Sequence, residues 1–255
     1  MFVMVANRLC RPSSKLDCFE NWLHQEAYLP DYQDLKLDQF YRALDFLFER
    51  NATVEQEIFH RTADLFNVDA DVIFYDTTST YFEVDAEDEE DEDGFALRKR
   101  GHSKDDKSTF PQIVIGPAVT REGLPVRSCV FPGNTADTTT IATIKKDLRG
   151  RRLGQCILVG DAGMYSKVNL KVLRRGLGRY LMAVPMRRIK EIPQEVLTRG
   201  GRYQTVAENL QVKEVWFPEN KENKRYIVCF NSEEAERQKK HRQALCLNWK
   251  RSWKE

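Results

Sequence analysis

The stretch DVIFYDTTSTYF at residues 71–82 decides the fold, because in it a short apolar run ends in an aspartate and a series of hydroxyl residues. The run Val72–Tyr75 is β-branched and aromatic, which is typical of a buried strand. The hydroxyl residues that follow Asp76 favour turns and strand ends over a helix interior. This stretch therefore predicts a strand that carries a carboxylate at its carboxyl end.

A second stretch, CILVGDAGMY at residues 156–165, repeats this design and ends its apolar run at Asp161. Glycines on either side of Asp161 allow another group to approach closely. If the two strands are neighbours, the aspartates lie side by side, since adjacent strands are roughly 4.8 Å apart. Such a pair suits Mg²⁺, or Mn²⁺ in its place, because these cations take carboxylate oxygens. The alternative is that each aspartate only caps the next element.

Charge is strongly segregated along the chain. Of 39 acidic residues, eight lie between Asp85 and Asp93, so the remainder has 40 basic and 31 acidic side chains, a formal charge of +9. This remainder suits a polyanionic partner. The acidic run itself is predicted to be a solvated, self-repelling loop.

Cysteine usage and hydropathy indicate a cytoplasmic protein without a membrane partner. The six cysteines show no metal-ligand spacing, and the chain has no signal peptide, so we interpret them as reduced thiols. No apolar run approaches the roughly 18 residues that span a bilayer. The apolar residues 1–5 predict a core element whose upstream partner is missing.

The spacing of apolar residues and the turn signals divide the chain into three predicted regions. Residues 1–70 are predicted to be helical, with helices over residues 15–28, around residues 40–48, and from a capping box at Thr53. Residues 71–184 alternate as strand, hairpin, helix, strand, helix and strand, which predicts a mixed α/β sheet. A ribonuclease-H-like sheet is one arrangement that brings the first and fourth strands together. Residues 185–255 are predicted to be β-rich and then helical from Ser232.

Several blocks of the chain resemble the insertion-sequence transposases of the IS4 and IS1634 type. The blocks occur in family order over residues 5–240: FYDTT at 74–78, GHSKD at 101–105 with PQ at 111–112, PGNT-x-D at 132–137, and VGDAG at 159–163. The resemblance implies a ribonuclease-H-like DDE enzyme that cuts and rejoins DNA at element ends. It also implies partners: the insertion-sequence ends, the target DNA, and further copies of the chain in a transposition complex.

The same resemblance assigns catalytic and metal-binding roles to two residues. Asp76 matches the first acidic residue of the family and Asp161 the second. Two metals about 3.5–4 Å apart activate the attacking oxygen and stabilise the leaving oxygen in this type of chemistry. Asp76 is expected to bridge the metals and Asp161 to hold one of them.

The chain departs from the family at the third carboxylate, which lies in a Y-x2-R-x3-E-x6-K pattern on a late helix. None of the nine tyrosines begins this pattern. We therefore expect a C-terminally truncated fragment that lacks the third carboxylate, with Glu233 and Glu234 as possible substitutes. The residues after Cys246 are interpreted as a frameshift product or as an ordinary amphipathic tail.

Basic residues near the family motifs are the predicted DNA contacts, because phosphate binding needs positive charge. They are Arg98, Lys99, Arg100, Lys104 and Lys107. The alternative is a loop that balances the neighbouring acidic run. A second cluster, Arg149, Arg151 and Arg152, is interpreted as either a DNA contact or a helix end whose cations suit the dipole.

Four further residues have both a structural and a functional interpretation. Asn134 and Asp137 are predicted to form a turn and helix cap, or else to line the site. His102 either approaches the reacting phosphate or lies on a surface loop, and Tyr165 either packs or stacks on a base.

Three functions compete at this point. The first is a transposase with metal-dependent cleavage and transfer of DNA strands. The second is an inactive DNA-binding remnant that pairs with intact transposase. The third is an unrelated Mg²⁺ phosphohydrolase that uses strand-end aspartates.

Overall fold

The computed structural model describes residues 1–66, 71–92, 94–103, 107–151, 153, 155–217 and 224–252. The chain forms two compact units, residues 1–183 and residues 184–255. Over the described ranges, no helix is long and apolar enough to cross a membrane. The predicted boundary at residue 70, inside the first unit, stays a prediction.

The first unit begins with a group of helices. These are α1 (Phe2–Cys10), α2 (Lys15–Asp17) continuing as a π-helix (Cys18–Glu26), a 3-10 turn (Pro30–Tyr32) and α3 (Leu37–Phe66). The helix predicted over residues 15–28 begins after Ser14, whose hydroxyl accepts a hydrogen bond from the Asp17 amide at 3.0 Å. Trp22, Leu23 and Phe40 form the centre of a small separate core here.

The predicted third helix from Thr53 is wrong, because α3 runs without a break through Asn51 and Thr53. Both side chains are exposed in the helix interior. In a helix interior, Asn and Thr lower helix stability only slightly. Packing of the apolar face of α3 therefore outweighs their preference for the cap position.

Among its described residues, the first unit has a sheet of six strands. They are β1 (Val72–Tyr75), β2 (Thr78–Tyr81), β3 (Gln112–Thr120), β4 (Pro125–Pro132), β5 (Ile157–Gly160) and β6 (Arg179–Met182). Strand β3 pairs with β4 on one edge and with both β2 and β1 on the other, always antiparallel. Strand β5 is parallel to β1, and β6 is parallel to β5. The order β4-β3-β1-β5-β6 is that of the predicted ribonuclease-H-like sheet.

The helices α4 (Asp137–Gly150) and α5 (Lys167–Arg174) pack against this sheet, and Phe59 of α3 joins the same core. Ile141, Ile144 and Leu148 recur at helical spacing on α4 and are fully buried. They pack in one core with Ile73 of β1 and Leu158 of β5. This core holds together the two strands whose ends carry the aspartates.

A buried network of charges joins α3, β4 and α4. The Arg127 guanidinium donates hydrogen bonds to Glu55 and, at 2.7 Å, to Asp147. Burial alone would lower the pKa of Arg127, but these two carboxylates raise it above its ordinary value. Arg151 also binds Glu55 and is only 8% exposed. The DNA-contact interpretation of Arg151 is therefore wrong; Arg152 lies outside the described residues.

The second unit contains a three-stranded antiparallel sheet and a helix. Its elements are a π-helical turn (Ile192–Val196), β7 (Gln204–Ala207), β8 (Leu210–Phe217), β9 (Lys224–Asn231) and α6 (Ser232–Ser252). Ile192, Val196, Val215 and Phe217 form its core. The β-rich segment and the helix that begins at Ser232 match the prediction.

Candidate active site

The two strand-end aspartates leave the sheet side by side. Tyr75 and Gly160 are partners in the parallel pairing of β1 with β5, and Asp76 and Asp161 directly follow them. Both aspartates are exposed at the carboxyl ends of neighbouring strands. Since such strands are roughly 4.8 Å apart, one cation or phosphate can contact both carboxylates.

The local structure argues against a pure capping role for Asp161. Asp161 precedes a 3-10 turn, Ala162–Met164, but its side chain makes no capping hydrogen bond to that turn. The turn is closed by the backbone, since the Met164 amide donates to the Asp161 carbonyl at 3.1 Å. The Asp161 carboxylate is thus exposed at the strand end and does not cap this turn.

Asp76 is oriented by its neighbour. The Thr77 amide donates a hydrogen bond to Asp76 Oδ1 at 2.7 Å. Thr77 itself is only 2% exposed, so this donor is held in place by packing.

A third carboxylate, that of Asp137, lies against both aspartate-bearing turns. Thr77 Oγ1 donates a hydrogen bond to Asp137 Oδ1 at 2.7 Å. On the other side, a Cβ placed on Gly163 would lie 3.1 Å from Asp137 Oδ2 and 3.9 Å from Asp161 Oδ2. Asp137 therefore lines the site, which sequence reasoning had kept only as the lesser alternative to a helix cap. The PGNT-x-D block was the signal for it.

The helix cap proper is Ala136, and Asp137 is the first residue of α4. A carboxylate in the first turn of a helix is favoured by the helix dipole. Asn134 is exposed in the turn before it.

Gln112 holds the motif segments around the site together. Its side chain is fully buried, and its amide nitrogen donates to the carbonyls of His102 at 3.1 Å and Gly133 at 2.9 Å. A Cβ on Gly101 would lie 2.1 Å from the Gly133 carbonyl oxygen, and a Cβ on Gly133 would lie 2.0 Å from the Gln112 carbonyl oxygen and 2.2 Å from that of Lys99, so neither position has room for a side chain. The GHS, PQ and PGN blocks are thereby explained as one packed unit. The His102 side chain is exposed on its surface.

Two tyrosines support the strand ends by packing. Burial raises the pKa of Tyr75 to about 12, so it is a neutral phenol at ordinary pH. Its ring lies against Gly116 of β3, where a Cβ would be 2.5 Å from the phenol oxygen. Tyr165 is half-buried against the main core, in agreement with a packing role.

The predicted DNA-contact residues are engaged by the acidic run. Arg98 binds Asp88, Lys99 lies 3.0 Å from Glu90, and Arg100 pairs with Glu87. The acidic run is a largely exposed loop over its described residues, as predicted, but the predicted self-repulsion is wrong for Glu87, Asp88 and Glu90, which pair with these cations. The contacts agree with the alternative in which the basic segment balances the acidic run. Hydrogen bonds from Arg98 lower the pKa of Asp88. Lys107 is exposed, and Lys104 lies outside the described residues.

The possible substitutes for the third carboxylate lie in the second unit, in the first turn of α6. Glu233 accepts a hydrogen bond from the Asn209 side chain at 3.0 Å. Glu234 pairs with Arg237 and with Gln238. Both side chains thus have hydrogen-bond or ion-pair partners within the second unit.

The donor set at the strand ends fits a hard divalent cation only in part. Asp76 and Asp161 supply carboxylate oxygens, and Mg²⁺ is often bound by one or two carboxylates together with substrate phosphates. Among the residues with described side chains, no group of three or more His, Cys, Asp and Glu has the geometry of a metal site.

Residues 73–244 match a family model described as the transposase DDE domain, which covers more than half of the chain. Comparison with curated proteins finds no match.

Three solved structures are similar at low sequence identity. The cryo-EM structure of the piggyBac transposase synaptic complex with hairpin DNA is 16% identical with a TM-score of 0.38, over 89% of this chain and 49% of that chain. The Mos1 transposase paired-end complex with the left transposon end is 8% identical with a TM-score of 0.30, over 71% and 57%. The Mos1 mariner paired-end complex with Mn is 12% identical with a TM-score of 0.29, over 69% and 49%. The chain spans about half the length of these solved chains.

Proposed function

The chain belongs to the transposase DDE domain family, and on this premise we propose that it cleaves DNA strands and transfers them during transposition of an IS4-type insertion sequence. The observation that carries the proposal is the position of Asp76 and Asp161 at the carboxyl ends of neighbouring parallel strands. Both carboxylates are exposed, so a DNA phosphate can reach them.

Asp76 and Asp161 would hold Mg²⁺ or Mn²⁺. When bound, the ion supplies Lewis-acid polarisation of the phosphoryl oxygen and lowers the pKa of a bound water. The two carboxylates contribute negative charge. The Thr77 amide orients that of Asp76, and that of Asp161 is exposed and makes no capping hydrogen bond to the turn that follows it. The two carboxylates are proposed to bind the ion before DNA arrives, and a phosphate oxygen of the substrate would then be a further ligand.

We propose that this chain supplies no third carboxylate in the pattern of the family. Two observations support this. The sequence lacks the Tyr, Arg, Glu and Lys pattern, and the described side chains include no group of three metal ligands. Glu233 and Glu234 are the alternatives to test.

DNA contacts are proposed at Arg98, Lys99, Arg100 and Lys107, and at Lys104 in the same segment. The first three are paired with carboxylates of the acidic run, so DNA phosphates would have to displace these pairs. Exchange of one anion for another is feasible because exposed ion pairs are weak. The partners are the insertion-sequence ends and target DNA, the active form is a homo-oligomer, and the protein acts in the cytoplasm.

The second candidate is an inactive remnant that binds DNA and pairs with intact transposase. The lack of a third metal ligand among the described side chains favours it. It differs from the first candidate in one respect: DNA binding would persist without strand cleavage.

A nicking assay separates the candidates. Purified protein is incubated with Mn²⁺ or Mg²⁺ and a supercoiled plasmid that carries the DNA flanking the gene. If the protein is a transposase, we expect nicking by wild type and its loss in Asp76→Asn and Asp161→Asn. Asp45 is an exposed aspartate on α3, and the control variant Asp45→Asn should keep the activity. Loss of nicking in Glu233→Gln or Glu234→Gln would identify an internal third carboxylate.

Retained DNA binding without nicking would support the remnant, with an affinity that falls steeply as salt is raised. If the protein hydrolyses small phosphoesters but neither binds nor cleaves DNA, the transposase and the remnant are both overturned and the phosphohydrolase is favoured.

A further inference from the structure

We propose that Asp137 is a positioning residue that sets the geometry of the aspartate pair by holding both aspartate-bearing turns. The inference rests on the proposed function of Asp76 and Asp161, and it deepens that function by adding a residue to the site. It is argued from three contacts that meet at the start of α4.

The first contact connects Asp137 with Asp76 through Thr77. The Thr77 hydroxyl donates to Asp137 Oδ1, and the Thr77 amide donates to Asp76 Oδ1, each at 2.7 Å. Both bonds start from the same buried residue, so the bond from the Thr77 hydroxyl to Asp137 helps to hold the backbone whose amide donates to Asp76. A hydrogen bond to an ionised carboxylate is roughly twice as strong as a neutral one. Asp137 thus fixes the orientation of the group that orients Asp76.

The second contact is with the turn after Asp161. A Cβ on Gly163 would lie 3.1 Å from Asp137 Oδ2 and 3.9 Å from Asp161 Oδ2. The glycine therefore allows the backbone of this turn to rest against the Asp137 carboxylate. A side chain at position 163 would press on the Asp137 carboxylate, so either this carboxylate or the turn that carries Asp161 would have to move by a few tenths of an ångström.

The third contact holds the backbone around Asp137 in place. The Asn169 side chain of α5 is 5% exposed and donates to the carbonyls of Thr138 and Met164, both at 2.8 Å. It thereby ties the first turn of α4 to the end of the turn that follows Asp161. Within α4, the Thr140 hydroxyl donates to the Asp137 carbonyl at 2.8 Å. The backbone around Asp137 is held by two helices.

The geometry favours positioning over metal ligation. One Asp137 oxygen is already bonded to Thr77, and the described side chains include no group of three metal ligands. Groups that orient metal ligands affect metal affinity by about tenfold to hundredfold. That is the effect expected here.

The test measures Mn²⁺ binding to the full chain without DNA, from the electron paramagnetic resonance signal of free Mn²⁺. We expect Asp76→Asn and Asp161→Asn to abolish binding. Asp137→Ala and Thr77→Val are expected to weaken it by about tenfold to hundredfold, whereas Thr77→Ser, which keeps the hydroxyl, stays within about threefold of wild type. Thermal unfolding of every variant without metal checks that the fold is intact.

A double-mutant cycle excludes a merely structural effect. Gly163→Ala is expected to weaken Mn²⁺ binding because its methyl group presses on Asp137. In the Asp137→Ala background the same substitution should have little further effect, since contacting residues couple and distant ones add.

The outcomes for the two proposals differ. If Asp76→Asn abolishes Mn²⁺ binding but Thr77→Val and Asp137→Ala leave it unchanged, the positioning role is overturned and the proposed function stands. If wild type and Asp76→Asn bind Mn²⁺ alike, the proposed function of the pair fails and the positioning role fails with it. Additive effects of Gly163→Ala and Asp137→Ala also overturn the positioning role.

Discussion

Replacing Glu55 with glutamine is expected to destabilise the first unit, because the Glu55 carboxylate holds three donors in a largely buried place. Arg127 and Arg151 donate from their guanidinium groups, and the Ser128 amide donates at 2.9 Å. The side chains of Glu55, Arg127 and Arg151 are 18%, 20% and 8% exposed. The substitution keeps the size of the side chain and removes its charge, so two cations lose a partner.

The expected loss of stability depends on how deeply the ion pairs of Glu55 are buried and on which partners the two arginines keep. Breaking a buried ion pair costs about 3–5 kcal/mol when the remaining charge has no partner. Here Asp147 stays 2.7 Å from Arg127, and the pair is not fully buried, which reduces the loss. We expect the free energy of unfolding to fall by about 2–3 kcal/mol, with a Tm lower by about 4–12 °C for a unit of this size.

The assay is thermal and urea unfolding followed by circular dichroism, with a matched control on the same helix. Glu57 pairs with Arg61 across one turn of α3, and their side chains are 63% and 84% exposed. Glu57→Gln should change the free energy of unfolding by less than about 0.5 kcal/mol, because exposed pairs contribute little. If Glu55→Gln changes stability no more than Glu57→Gln does, the network is not the stabilising feature that its burial indicates.

Three other predictions concern the sheet, the acidic run and the metal. Gly116→Ala should lower the free energy of unfolding by about 1–3 kcal/mol through overpacking against Tyr75, and Tyr75→Phe in the same background should recover part of it, as measured by urea unfolding. Asp88→Asn should strengthen binding to a DNA fragment a few-fold at low salt in fluorescence anisotropy, because it releases Arg98; unchanged affinity would remove Arg98 from the DNA contacts. Addition of Mg²⁺ should raise the Tm of wild type and leave that of Asp76→Asn unaltered in differential scanning fluorimetry, and equal shifts would contradict metal binding at Asp76.

Local signals account for the parts that were predicted well. The strands that end at Asp76 and Asp161 were visible because β-branched runs bounded by turn residues are signals within a few residues. The hairpin of β3 and β4 and the helix α4 were visible for the same reason, since apolar periodicity needs only neighbouring residues. The order of the family motifs was the basis for matching Asp76 and Asp161 to the first and second acidic residues of the family, and this assignment stays a prediction.

Contacts between distant residues account for what was missed or left open. Asp137 was seen as a helix cap because its bond to Thr77, 60 residues away, leaves no trace in the local pattern. The acidic run was taken as self-repelling because like charges in sequence repel, whereas in the fold the cations at residues 98–100 face them. For Arg151 a DNA contact and a helix end were both left open, because its burial depends on Glu55, which lies on a helix 96 residues earlier; it is the C-terminal cap residue of α4.

The sequence by itself determined that two apolar strands end in aspartates and that helices and a hairpin lie between them, because hydrophobic period and turn chemistry act over a few residues. Only the tertiary structure decided that β1 and β5 are parallel neighbours in a register that sets Asp76 beside Asp161. It also decided that α4 brings Asp137 against both turns. Strand pairing and side-chain contact depend on the path of the whole chain, and the burial of a common core selects that path.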